Sequence, residues 1–542
     1  MADLVVFNQS QEASSEYTAS SIMEDKKWLN VIDQNNGSYQ SGQMTLETTS
    51  LSTSDRLMNY REAYLAVPLI ITVGNSANNT TSGLSGSTAG TTAKVVGLKN
   101  SYTSLIHSMS VDLNGTNIIQ TNPFSEFYNA FNLMTTLSWE DVKTQGSTIG
   151  FYPDDALSAH SYTADNRNGL GGATVNNQDL LVEDGESVNV LGKIGNKGLN
   201  ERLKYINYTP AGKVNGSADE AEQSAFLTQA SCNTLYKNSV FNFVAGGVGA
   251  SPLVQVQVMA IIKLRQLHNF FNNIPLCRGL QFRFIINFNQ STNVITTAID
   301  NTVNAETVAK SQFGGVNPLM ATSKKANNGG VNTFTAGNAS SVRYDLSIGR
   351  TCLDSVLSAK AGVQNSSLTQ SVSLYVPSYI MNPSLLGKYI SSNSSKRIDY
   401  CDFYFFKINS IGAGESFNSL ITSGIRGVKS VLMIPMLQSA SNGGILEFQS
   451  MQSDCGGGTT ALLSQVSNFQ VQIGGVNQIQ SNSRYEFETF NNYFHGVNAV
   501  NGGLTDGLTS GLVGQKDWGT KYLYYYVDCN RGSEAERDTP KS

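Results

Sequence analysis

Apolar and polar positions alternate with period two in many short runs of this chain, while runs with helical spacing are few and brief. SMSVDL (108–113), VQVQVMAIIKL (254–264), LQFRFIINF (280–288) and SVSLYVP (371–377) read as strands, with long polar connections between them. LRQLHNFFNNIP (264–275) reads as a short helix ended by its proline. Many strands, few helices and long links predict an all-β protein with short helices, built from antiparallel sandwiches rather than βαβ units.

One stretch is written twice. Residues 109–132 laid over 469–492 without a gap share nine identities, among them Val111/Val471, Gly115/Gly475, Asn117/Asn477, Ile119/Ile479 and Glu126/Glu486. In the first copy an alternating run meets Asn114-Gly115, a pair suited to the two positive-φ positions of a type I′ hairpin turn. In the second, FQVQI meets Gly474-Gly475, which suits the same turn. Each returning strand then runs into a helix start. Asn122 before Pro123 predicts an N-cap with proline at the first helical position. Ser483 and Glu486 have the spacing of a capping box. Phe124, Phe127 and Phe131 then give one apolar helix face, and Phe487, Phe490 and Phe494 give the other.

A second echo, YLAVPLI (64–70) against VLMIPML (431–437), places Pro68 and Pro435 alike, offset by 367 against 360 for the first echo. Proline is excluded from central ladder positions, so both strands are expected at an edge or a bulge. Order and spacing are shared, so two copies of one β domain are expected. An N-terminal arm would cover 1–30, the first domain 31–392 and the second 393–542, with the polar run ISSNSSK (390–396) at the join. The opening strand of the first copy is expected near 38–49 and that of the second from about 405. The extra length of the first copy lies in Gly- and Asn-rich runs at 74–92, 140–222 and 311–342, which read as surface loops.

Composition agrees with this reading. Of 542 residues only 14% are charged, and the 24 Phe and 23 Tyr are too many for a disordered chain. The net charge is −5 and Lys and Arg are scattered, so no arm or sequence-specific grip on nucleic acid is expected. The longest clean apolar stretch, 11 residues from Ala63, is too short for a membrane helix, and the N-terminus lacks a secretory pattern; synthesis inside the cell without export is expected. Six cysteines never come in close pairs, which argues against CxxC zinc or redox motifs and leaves buried thiols.

Candidate chemistry is thin. His107, His160, His268 and His495 stand far apart with no HExxH motif. Asp154-Asp155 near His160 reads as a solvated loop, and Cys277, nine residues after His268, reads as a buried thiol. No GxSxG elbow and no phosphate loop occurs. The run YLYYYV (522–527) reads as a buried strand rather than a base- or sugar-stacking platform. The sequence therefore names no catalytic, cofactor-binding or metal-ligating set, and no enzyme is expected.

Several segments taken together carry a resemblance. KRIDYCDFYFFKINSIGAGESFNSLITSGIRGVKSVLMIP (396–435), SNFQVQIGGVNQIQSNSRYEFETFN, NGGLTDGLTSGLV and YLYYYVDCNRGSEAERDTPKS, with NNGSYQSGQMTLETTSL and EAYLAVPLIITV, resemble the major capsid proteins of polinton-like viruses and virophages. The resemblance spans most of the chain outside the long loops. It implies a double jelly roll, two tandem eight-stranded antiparallel sandwiches, whose homotrimers form pseudo-hexagonal capsomers tiling an icosahedral virion shell. Implied partners are neighbouring capsomers, penton and minor capsid proteins, and a host receptor reached through the loops; contact with an internal membrane is left open. In such proteins the chain continues past the segment that here ends at Ser542. The other class that fits tandem sandwiches is a two-domain carbohydrate-binding or glycoside-processing protein, but the sequence singles out no carboxyl pair for hydrolysis.

Overall fold

The computed structural model describes residues 22–75 (except 36, 38, 40 and 41), 93–98, 101–153, 240–244, 253–299, 304–313, 318–324, 340–349 and 371–392. In the C-terminal part it describes 400–408, 411–412, 414–421, 428–435, 466–479, 484–491, 511–519 and 522–529, with 352–353, 357, 359, 396 and 398 between. These residues are mostly strand, with a few short helices.

Eight strands organise the first half: β1 (Met23–Ile32), β2 (Gln43–Glu47), β3 (Tyr64–Asn75), β4 (Ile106–Leu113), β5 (Thr116–Ile119), β6 (Leu253–Lys263), β7 (Phe282–Phe288) and β8 (Ser373–Met381). They pair antiparallel from the outside in: β1 with β8, β2 with β7, β3 with β6, β4 with β5. β8 also pairs with β3, and β7 with β4, so two sheets form, ordered β1-β8-β3-β6 and β2-β7-β4-β5. The path is one long hairpin folded over on itself, and its tip is Asn114-Gly115. Alternation puts one face of each sheet into a shared core. Leu65, Val67 and Val376 from the first sheet and Met44, Val111 and Phe284 from the second belong to one buried cluster. Each such side chain contributes roughly 1.5–3 kcal/mol of burial.

The first sheet continues beyond this frame. Gln290–Ile299, Asn304–Phe313 and Ser340–Ile348 form an antiparallel ladder, and the last of these pairs with Leu69–Asn75 of β3. Pro68 therefore lies in a central strand, neither at an edge nor at a bulge. On one flank β3 is paired with β6 throughout; on the other it pairs with β8 at Tyr64–Ala66 and with Ser340–Ile348 from Leu69 onward. Pro68 stands at that hand-over. Its carbonyl accepts from the Gly349 N–H at 3.2 Å, so its nitrogen, on the same side of the strand, faces the seam, and the donor it lacks is missing only at the margin of the ladder that starts at Leu69.

Other expectations shift too. Part of the segment expected as an arm is strand β1, an edge strand whose run Glu24 to Trp28 is exposed on both faces and so shows no alternation. A strand does lie inside the expected 38–49 stretch, but it is β2, the second of the path, because β1 opens it. The region 264–275 is two four-residue helices, Leu264–Leu267 and Phe270–Asn273, separated at an extended His268 (φ −156). The expected loop 140–222 begins as a helix, and that at 311–342 contains a strand, Leu319–Lys324, paired with Ala93–Leu98. Residues 76–92 and 154–222 lie outside the described residues.

Three longer helices complete the framework: α1 (Ser125–Thr136), α2 (Trp139–Ile149) and α3 (Pro383–Ser392). α2 is closed by a capping box in which Ser138 Oγ accepts from Asp141 N–H at 3.1 Å and Asp141 Oδ2 accepts from Ser138 N–H at 2.9 Å.

The C-terminal half shows four strands among the described residues: β9 (Ser430–Met433), β10 (Gln472–Ile473), β11 (Val476–Asn477) and β12 (Tyr525–Asp528). β9 pairs antiparallel with β12, and β10 with β11. Pro435 falls two residues beyond the end of β9 rather than inside a strand. Residues 400–408, where an opening strand was expected, carry no ladder among the described residues. A second buried cluster holds Tyr485, Phe490 and the whole run Tyr522 to Val527, so that run is buried on both faces. Phe131, Leu133, Met134, Ile149 and Phe151, all before residue 152, belong to this second cluster. Helices α1 and α2 leave the first half by sequence and serve the core of the second.

Candidate functional site

The repeated stretch folds alike in both places. Asn114 (φ 49) and Gly115 (φ 83) join β4 to β5; Gly474 (φ 59) and Gly475 (φ 81) join β10 to β11. Two consecutive positive φ values are the signature of the I′ turn, which twists with the strands it connects. Directly behind each turn lies the same cross-strand pair: Asn117 Nδ2 donates to Asp112 Oδ1 at 2.8 Å, and Gln472 Nε2 donates to Asn477 Oδ1 at 2.8 Å. Ile119 and Ile479, each 2% exposed, anchor the returning strand in the first and second cores respectively. The first turn is also locked from outside, since the Asn114 N–H donates to Gln281 O and Asn114 Oδ1 accepts from Gln281 N–H, both at 2.9 Å.

The helix starts do not follow the expected caps. α1 begins at Ser125 with Phe124 as N-cap in a left-handed conformation (φ 60), two residues past Asn122. The Asn122 amide instead donates back to Gln120 O at 3.4 Å, and Pro123 is exposed ahead of the helix. What holds Phe124 in place is its ring, edge-on to His107 (5.0 Å) and packed on Phe405 (4.7 Å). In the second copy Ser483 lies outside the described residues. Glu486 precedes the helical residues 487–491, and its carbonyl accepts from Phe490 N–H, so Glu486 is a boundary residue rather than the third residue of the helix. Tyr485 fixes that boundary: its hydroxyl donates to Tyr526 O and accepts from Tyr526 N–H (2.7 Å), like a rung of a ladder, which keeps 485 extended. The Asn-Pro start does operate at Asn382-Pro383, where Asn382 O accepts from Leu386 N–H at 2.8 Å to open α3.

α1 is the joint between the halves. Its C-terminal part enters the second core, where Phe131 packs against Tyr524 (5.1 Å) and Tyr526 (5.9 Å). Its N-terminal part is covered by the extended segment 400–408: Phe403 stacks on Tyr128 at 4.8 Å and Phe405 lies on Phe124. Tyr400 Oη donates to Ile118 O at 2.7 Å. His268, 2% exposed, accepts from Phe270 N–H at Nδ1 (3.1 Å), which leaves the ring proton on Nε2, 3.2 Å from Asp402 Oδ1. A cavity of about 10 Å³ between Met109, Asn129, His268 and Phe403 has room for roughly one water. A second clasp holds the end of α3: Lys396 Nζ donates to Leu276 O (2.7 Å) and to Tyr389 Oη (2.6 Å).

The histidines and cysteines do not gather. His107 and His268 each stand beside a carboxyl group, Glu126 and Asp402; His160, His495 and Asp154-Asp155 lie outside the described residues. Among the described residues no group of three or more His, Cys, Asp or Glu side chains could hold a metal ion. Burial pushes the Cys277 thiol up to about 12, which removes its nucleophilic form at neutral pH. Cys277, Cys352, Cys401 and Cys529 are free thiols.

The surface carries chemistry of another kind. Segment 400–421 exposes Tyr404, Phe406, Ile408, Ile411, Phe417 and Leu420, the last at 85%. β1 and its neighbours expose Trp28, its ring tilted against Tyr64 (5.4 Å), and Ile380.

No family model and no curated protein matches the chain. Among solved structures, a chain of the Sputnik virophage structure aligns at 8% identity over 68% of this chain and 87% of its own, with a TM-score of 0.22. The mavirus major capsid protein aligns at 7% identity over 68% of this chain and 90% of its own, with a TM-score of 0.23. At these scores the superpositions carry no argument about this chain.

Proposed function

We propose that the chain is a major capsid protein of the virophage and polinton-like type, and that its work is self-assembly rather than catalysis. The observation that carries the reading is the strand pairing of the first half, first with eighth through fourth with fifth, which is the path of a jelly roll. The matching turn and cross-strand pair at Gly474-Gly475 support a second roll, and with it a double jelly roll divided near residue 392. Two similar domains per chain, taken three times round a closed axis, give six similar edges, the requirement for tiling a shell. In this reading the copies meet through exposed apolar faces. Penton and minor capsid proteins bind the assembled capsomers, the unrepeated loops face a host receptor, and the protein resides in the virion. The sequence resemblance to that family points the same way. Negative-stain imaging of the purified 58.4-kDa chain with light scattering tests it: trimers of hexagonal outline are expected. A compact monomer across concentration and assembly-range salt would overturn it.

A further inference from the structure

At one identical position of the repeat the two copies part company chemically. Glu486 is exposed, but its counterpart Glu126, in the first turn of α1, is 1% exposed. Neither Glu126 carboxyl oxygen has a hydrogen-bonding partner, and the nearest titratable group is His107 on β4, whose Nδ1 stands 3.8 Å from Oε1. An ionised carboxylate in such a place is costly unless a cation faces it.

Among the described residues, the other elements packed around this end of α1 offer no further charge to Glu126. The amide of Asn289, which follows β7, adds a polar contact, and the segment 400–408 contributes the Phe405 ring through Phe124. Asp402 on that segment is already engaged by His268. His107 and Glu126 thus face each other at the base of the helix whose far end enters the second core.

We propose that the buried Glu126 carboxyl keeps its proton in the folded chain, facing His107, so that the seat of α1, and through it the link between the two halves, is firm in mild acid and loosens as pH rises. Burial raises the Glu126 carboxyl above the ordinary carboxylate value, with His107 and Asn289 working against that rise. Once opened, Glu126 releases its proton near ~4.3, while the closed state keeps it to higher pH. Between those limits the opened form holds fewer protons at Glu126, so closure weakens with rising pH by up to about tenfold per pH unit, and levels off once the closed state also ionises there.

The test is amide hydrogen exchange of α1 in the full chain from pH 5 to 8, corrected for intrinsic exchange. Protection of α1 relative to β3 is expected to fall with pH in the wild type, by up to about tenfold per unit inside the window. Glu126→Gln, which keeps the shape and removes the charge, should give a flat profile lying above the wild type at pH 8. His107→Gln, which takes away the group that eases ionisation of the carboxyl, should lie below the wild type at pH 8. Parallel profiles for wild type and Glu126→Gln, or a His107→Gln profile that coincides with the wild type, would overturn the proposal.

Discussion

The two hairpins, β4–β5 and β10–β11, use the same turn, the same pair behind it and the same anchoring isoleucine, yet they sit in different surroundings. The first is the tip of an eight-strand path, with β4 laddered to β7 along its length and its turn bonded to Gln281. The second is two residues on each side, and its neighbourhood is held by tyrosines whose hydroxyls reach backbone groups. The local sequence writes the turn; the partners decide whether a sheet or an aromatic cluster carries the load. The halves are also unequal in supply, because the second core borrows Phe131, Met134 and Phe151 from the first half.

The largest expected effect breaks that borrowing. Phe131→Ala should cost about 3–5 kcal/mol, and exchange protection should collapse at Tyr522 to Val527 rather than in β3 or β7. Equal loss in both places would mean the halves form one cooperative unit and the comparison dissolves. Next, Tyr485→Phe removes the hydroxyl that serves both backbone groups of Tyr526, leaving a buried donor and acceptor unmet. A loss of about 1–3 kcal/mol is expected in denaturant titrations read from the second half.

Gly115→Ala and Gly475→Ala sharpen the comparison directly. A Cβ at either position meets nothing within 4 Å, so the cost is backbone strain alone, about 1–2 kcal/mol, and equal in the two turns. Unequal values would show that the turns are not equivalent. Smallest of all, Gly474→Asn copies the first turn into the second. It should stabilise by about 0.4–1 kcal/mol by restricting the unfolded chain, read as a small rise in melting temperature.

How much of this was readable beforehand divides along a physical line. Local signals were legible: β6 and β7 lie within one or two residues of VQVQVMAIIKL and LQFRFIINF, and both turns carry the residues their φ values demand. Signals overruled by distant partners were not. Asn122-Pro123 has the composition of a helix start, but contacts to His107 and Phe405 hold Phe124 left-handed and move the start to Ser125. β1 was hidden because an edge strand exposed on both faces need not alternate. The capping box at Ser138 and Asp141 was a readable sign of α2 inside a region that composition alone labels loop. As for the joint, the sequence aligned Glu126 with Glu486, but only packing separates a buried carboxyl from an exposed one.

The hand-over at Pro68 has a consequence for how such a molecule can change. Because β3 releases one neighbour before it takes up the next, the ladder of Gln290–Ile299, Asn304–Phe313 and Ser340–Ile348 hangs from the outer half of a strand whose inner half belongs to the frame. A module inserted or deleted there alters one ladder and leaves the other's register intact. The proline marks the seam of that attachment: a change on the far side falls on one ladder, while the two-sheet chassis keeps its own pairing.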